Sequence, residues 1–258
     1  MPDFLTKLID DATKRINAGY YDIRESLEHE PISLKRMIKS AQNNAIIAEI
    51  KPVSPARGPL RPGIDPVEAA EKLAKGGAVG LSILTEPDNF GGKLDNLRRI
   101  RPIVNLPLLM KDIIVDKAQI YAGRKFGADC ILLIESVFSR HHAVSLEDLI
   151  QEAHQSLLEV LLEVHNDAEL DRALKRGADI IGLNNRNLVT LETDLNMTLH
   201  LLNKIDRQAD QVVISESGFE TANDIRKLKD TSVNGFLIGS SIMLSEDLET
   251  KVREFVLA

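Results

Sequence analysis

Residues 77–84, GAVGLSIL, recur as GADCILLI at 127–134 and as GADIIGLN at 177–184, each copy 50 residues after the last. Every copy follows a helical pattern and opens an apolar, β-rich run. Glycine is suited to the left-handed position that ends a helix, so each Gly-Ala marks a helix-to-strand junction. A second apolar run lies midway through each period: PLLMK at 107–111 and LLEVLLEV at 157–164. One period is therefore two β/α units. Working outward, apolar runs are expected as strands at 45–50, 79–84, 107–111, 129–134, 158–163, 179–184, 211–216 and 234–238. Helical patterns separate them. Ser145 and Asp148 read as a capping box, and Leu170, Ala173 and Leu174 line the helix that ends at Gly177. Strict alternation implies a parallel sheet, and eight units close into a (β/α)8 (TIM) barrel of the α/β class. A doubly wound open sheet would need a glycine-rich fingerprint after its first strand, and EIKPVSPARG at 49–58 is not one.

The 258 residues suit one such barrel, so a single domain is expected, with residues 1–44 as an N-terminal helical extension and 45–258 as the barrel. Phe4, Leu5, Leu8, Ile9, Ala12 and Ile16 form one helical stripe. Ser33 is placed to cap a second helix carrying Leu34, Met37, Ile38 and Ala41. The extension reads as a cover packed on the barrel helices, with closure of the active site as the sharper alternative.

The net charge is −7, with no basic stripe, which argues against nucleic acid or an anionic membrane as partner. A single cysteine, Cys130, excludes an intrachain disulfide and fits a reducing cytoplasm. The first residues, MPDFLTKLIDDATK, resemble neither a signal peptide nor an anchor, and no apolar run is long enough to span a membrane. Oligomeric state is left open, a monomer being compatible with everything above.

Side chains of a barrel strand alternate between core and helix layer. By that parity Glu49, Lys51, Lys111, Glu163, Asn184 and Glu216 point inward together at the carboxyl ends of five strands. A lone Lys or Glu at a strand end is commonly just the chain leaving the core. A converging set is different, because so many charges would be costly to bury by accident. This is also the face where barrels carry their chemistry. Close Lys–Glu pairs shift one another's proton affinity, which suits acid–base work. The turns Ser217-Gly218 and Gly239-Ser240-Ser241 follow the last two strands, where barrels bind phosphate through backbone N–H groups. A phosphorylated small molecule is the expected substrate. Cys130 reads as a buried core thiol. His141-His142 read as solvated, His165 has no assigned part, and no zinc or magnesium pattern is present.

Eight segments, taken in order, resemble those of indole-3-glycerol-phosphate synthases: IIAEIKPVSP (46–55), VGLSILTEPDNFGG (79–92), LPLLMKDIIV (106–115), GADCILLIES (127–136), LLEVHN (161–166), IGLNNRNL (181–188), ISESG (214–218) and FLIGSSIM (236–243). The resemblance spans nearly the whole chain, extension included. It implies conversion of carboxyphenylamino-deoxyribulose 5-phosphate to indole glycerol phosphate, with loss of carbon dioxide and water. It implies Lys111 as the general acid at the ribulose carbonyl and Glu163 in the proton transfers of dehydration. Lys51 would hold the anthranilate carboxylate, and which lysine acts at dehydration stays open. Glu49, Asn184 and Glu216 would orient the lysines and the substrate hydroxyls. Ser54, Pro55 and Arg186 would line the site, Phe90, Leu132, Leu188 and Leu237 would wall the aromatic ring, and Ser217, Gly218, Gly239 and Ser240 would bind phosphate. Such a condensation needs an acid at the carbonyl and implies no metal or cofactor. The chain departs from the family pattern at Pro52 (usually basic), Ala56 (usually Ser) and Ile113 (usually aromatic). These departures bear on rate and affinity. A Schiff-base aldolase using Lys111 and a non-catalytic phosphometabolite-binding barrel are the rival readings.

Overall fold

The computed structural model describes residues 4–139, 144–187, 190–205 and 211–258. Among the described residues ten strands occur in chain order: β1 Ile46–Ile50, β2 Val53–Ser54, β3 Gly58–Pro59, β4 Gly80–Leu84, β5 Leu108–Lys111, β6 Cys130–Ile134, β7 Glu159–Val164, β8 Ile180–Asn184, β9 Val212–Glu216 and β10 Gly235–Ile238. Eight of them close a barrel in the order β1-β10-β9-β8-β7-β6-β5-β4. Every barrel pairing is parallel. The two short strands β2 and β3 form an antiparallel hairpin in the first β-to-α connection. The expected strands are all present, with ends within a residue or two. They are buried on both faces because side chains fill the barrel inside and helices cover it outside, which is why the runs read as nearly continuous apolar sequence.

The repeated glycines do what the repeat implies: Gly77, Gly127 and Gly177 have φ of 97°, 90° and 78°. Ser145 accepts a hydrogen bond from the Asp148 N–H, while both halves of a capping box occur at Asp116–Gln119 and Thr221–Asp224. Leu174 corrects an expectation. The helix ends at Ala173, and Leu174, beyond its last turn, is exposed.

The extension serves both ends of the barrel. Helix α1, Phe4–Asn17, buries Leu5, Leu8, Ile9 and Ala12 and lies at the carboxyl end. The following segment crosses the outside, with the Leu27 N–H donating to Lys125 O and Arg124 against His29. Helix α2, Leu34–Ser40, then covers the amino end. Ser33 caps it as expected and also donates to Glu159, which begins β7; the Lys35 N–H donates to the same carboxylate and the Ile32 N–H to Asp129, just before β6. Leu34 packs where a side chain on Gly80 would stand, 2.6 Å from that glycine's missing Cβ. α2 therefore plugs the structural end of the barrel, and α1 belongs to the functional end.

Candidate active site

One pocket at the carboxyl ends of the strands is lined by every described residue expected at the site. Glu49, Lys51, Lys111, Glu163, Asn184 and Glu216 share it with Ser54, Pro55, Phe90, Leu132, Arg186 and Leu237, and with the turn residues Ser217, Gly218, Gly239 and Ser240. Leu188, like His141 and His142, lies outside the described residues. Ile113 and Ala56 also face the pocket, so two of the three departures sit on its wall.

At its centre the Lys111 ammonium donates to Glu216 Oε2 at 2.6 Å and to Glu163 Oε2 at 3.2 Å. Burial alone would drive protons off this lysine. Glu216, Glu163 and Glu49 overcome that and hold it protonated far above neutrality. Burial would likewise favour a neutral Glu163, but Lys111 and then His165 keep its carboxyl well below the ordinary range. Burial dominates at Glu216. With the charges of Glu163 and Glu49 it outweighs Lys111 and pushes that carboxyl up to about 7. Three carboxylates thus surround one buried cation with different proton affinities, the signature of a site that moves protons. Lys51 pairs with Glu49 at 2.7 Å, and Ser82 donates to the other Glu49 oxygen at 3.2 Å. The Asn184 carbonyl accepts the Arg186 N–H, and the Arg186 guanidinium reaches Leu191 O.

Two glycines make this crowding possible. A Cβ on Gly182 would fall 2.1 Å from Glu216 Oε1, and one on Gly239 would fall 2.6 Å from Glu49 Oε1. Each carboxylate occupies the space of a missing side chain. The signal was the glycine inside the strand run IIGLN, which marks close approach. The turn after β9 is left-handed at both residues, with φ of 67° at Ser217 and 88° at Gly218. A short helix, Ser240–Met243, begins directly after β10, and the N–H groups of a first helical turn have no partner within the helix.

Several contributors were not read from the sequence. Phe4, Leu5 and Leu8 of α1 line the pocket, which favours the sharper alternative for the extension. Arg15 of the same helix is buried, paired with Glu86 at 2.8 Å and Asp88 at 2.6 Å, and lies 3.7 Å from Asp112, the neighbour of Lys111. Glu86 in turn accepts the N–H groups of Asp88, Asn89 and Phe90 and so shapes the loop that presents Phe90. An arginine on the apolar stripe of α1 was the available clue. Arg57 of the first loop pairs with Glu220 beyond β9, and both line the pocket. His165 lies between Glu163 and Glu169. Cys130 is buried on β6, and burial pushes its thiol well above the ordinary value, as expected of a core residue. Among the described residues no group of three or more His, Cys, Asp or Glu is arranged to hold a metal.

Comparison with known proteins bears on the fold and the family. A solved thiamine phosphate pyrophosphorylase from Pyrococcus furiosus superposes with a TM-score of 0.61 over 86% of this chain and 96% of its own, at 17% identity, which shows the shared fold. A protein named indole-3-glycerol phosphate synthase from Polaromonas sp. (strain JS666) is 43% identical over 208 residues, 81% of this chain and 77% of its own. One of the same name from Acetivibrio thermocellus is 40% identical, covering 88% and 85%. Another, from Koribacter versatilis, is 36% identical over 99% of this chain and its own full length. The family profile described as indole-3-glycerol phosphate synthase matches residues 6–255, and the chain belongs to that family.

Proposed function

We propose that the Lys111 cluster carries out the decarboxylating ring closure that makes this family a carboxy-lyase of tryptophan biosynthesis. The substrate is 1-(2-carboxyphenylamino)-1-deoxyribulose 5-phosphate. The observation that carries the reading is Lys111 itself: a buried ammonium held by two carboxylates at the catalytic face of the barrel. The pocket around it has an apolar side formed by Phe90, Ile113 and Leu132, from the arc of β4 to β6 and its loops, and a turn-lined side formed by Ser217-Gly218 and Gly239-Ser240 after β9 and β10, where Leu237 also lies. The first side suits an aromatic ring and the second a phosphate, leaving the ribulose carbonyl near Lys111.

The aryl carbon bearing the carboxylate attacks the carbonyl carbon, and Lys111 delivers its proton to the oxygen, which becomes a hydroxyl. The carboxylate leaves as carbon dioxide, and the released electron pair restores the aromatic ring. The hydroxyl then leaves as water, taking a proton from one of the two site lysines, Lys51 or a reprotonated Lys111, while Glu163 takes the proton from the adjacent carbon. Lys51, tethered by Glu49, faces the anthranilate carboxylate. Positioning is a large part of the catalysis, since both bond-forming carbons belong to one bound molecule.

Lys111 as a Schiff-base nucleophile is disfavoured by its surroundings, because that chemistry needs a neutral amine and three carboxylates keep this one protonated. No described helix is long and apolar enough to cross a membrane. Together with the lone buried cysteine, this supports the cytoplasm as the place of action. The test is incubation with the candidate substrate. Growth of indole fluorescence matched by equimolar carbon dioxide is expected. A bound but unconverted substrate would instead support a non-catalytic barrel.

A further inference from the structure

Glu163 offers its two carboxylate oxygens to two different cationic partners. Oε2 faces Lys111, and Oε1 lies 3.2 Å from His165 Nε2. The histidine is itself anchored from behind. Its Nδ1 is 3.3 Å from Glu169 Oε2, and its own backbone N–H donates to that oxygen at 2.8 Å. Glu169 is fixed in turn, because Asn166 Nδ2 donates to Oε1 at 2.7 Å and Asn166 Oδ1 accepts the Glu169 N–H. All three side chains of the relay are nearly excluded from water, at 10% exposure for His165, 4% for Glu163 and 9% for Glu169.

The result is an alternating row of charge from the helix Asp167–Ala173, through the end of β7, to the barrel centre: Glu169, His165, Glu163, Lys111, Glu216. We propose that His165 is a positioning residue for the reaction, held by Glu169 so that it keeps Glu163 ionised and turned toward Lys111. The inference rests on the reading of Glu163 as the proton acceptor of dehydration.

A buried imidazole flanked by two carboxylates is favoured as the cation despite burial, and here its proton affinity is raised to about 9. A second cleft borders His165, and its other charged lining groups among the described residues are Glu169, Arg186, Glu192 and Asp194. The preference is reciprocal, since whatever makes Glu163 hold His165 charged makes His165 hold Glu163 charged. Finally, His165 Nε2 is buried without a well-aligned hydrogen bond although Glu163 is within reach. Catalytic hydrogen bonds are commonly long before substrate binds and tighten in the complex. The spare donor is therefore aimed at the carboxylate read as the proton acceptor of dehydration.

The test combines imidazole 15N NMR with steady-state kinetics on the full chain. His165→Asn identifies the signal by its loss. His165 in the parent protein is expected to titrate well above the ordinary ~6.5, and in Glu163→Gln to fall by at least about one pH unit. His165→Asn is expected to lower kcat about 10–100-fold with KM nearly unchanged, as for a mispositioned catalytic group. Glu169→Gln should move kcat the same way by less. An ordinary titration, or one that Glu163→Gln leaves in place, would overturn the proposal. So would parental kcat in His165→Asn, or parallel losses in KM, kcat and thermal midpoint that mark a purely structural role. Near-parental turnover in Glu163→Gln with the NMR coupling intact would instead remove Glu163 as the proton acceptor, and the positioning role would fall with it.

Discussion

Ile113 stands where the family pattern carries an aromatic, and its side chain is buried against the core while still facing the pocket. A phenyl ring there would extend into the space that receives the substrate's own ring. Aromatic pairs contribute about 0.5–1.5 kcal/mol beyond area burial. Ile113→Phe is therefore expected to tighten binding several-fold with little change in thermal midpoint. Weaker binding with a lowered midpoint would show that the site is already full and that the ring overpacks it. At this scale the inward set from Glu49 to Glu216 was legible because strand parity is a strict period of two. Arg15 and His165 were not, since their importance comes from partners 71 to 97 positions away for Arg15 and from the loop geometry past a strand end for His165. A linear pattern carries no signal for such pairings.

At the scale of elements, the turns after β9 and β10 form the side of the pocket proposed to take the anion. Backbone N–H groups rather than hydroxyls are expected to hold phosphate there. Ser240→Ala should then leave affinity little changed, while inorganic phosphate should compete with substrate. If saturating phosphate leaves the apparent KM unchanged, the anion binds elsewhere. Gly218 shows where a sequence-level expectation needed the structure. Its place after the strand makes Gly218→Val the natural substitution for filling the anion's space. A Cβ there would meet Leu195 at 3.2 Å, at a φ of 88° that valine tolerates poorly. That variant would damage the turn itself, and its stability as well as its affinity should fall. The eight strands, by contrast, were readable to within a residue or two because each is a short apolar run bounded by helix-ending glycine or by a charged strand end. The division of the extension into one helix per barrel end was not readable, since both helices show the same amphipathic stripe.

For the whole molecule, α1 is tied to the catalytic end by Arg15, whose partners Glu86 and Asp112 are both buried. Removing one partner of a buried ionic cluster leaves uncompensated charge, at about 3–5 kcal/mol. Arg15→Met should lose stability on that order and raise KM, because Phe4, Leu5 and Leu8 would no longer be held over the pocket. The loss should also depend on pH. Burial pushes the Asp112 carboxyl up to about 6, against the opposing pull of Thr85 and Arg15. A carboxyl raised above its unfolded value of ~3.9 favours the fold when neutral. Its contribution is complete below that value and is lost as pH rises through the folded value. Without Arg15 the folded value rises further. The stability deficit of Arg15→Met is thus expected to be larger at pH 8 than at pH 5, as read from thermal midpoints. An equal deficit at both would mean that Asp112 is not part of the clamp.

Lys111 is proposed to supply the proton that drives ring closure. The most direct measurement is single-turnover indole fluorescence with Lys111→Met, alongside the dissociation constant of the substrate for the same variant. Turnover is expected to fall by about 10²–10⁴-fold or more, with the substrate dissociation constant and the circular-dichroism spectrum close to those of the parent. Turnover within a few-fold of the parent, with the fold and affinity intact, would contradict the account.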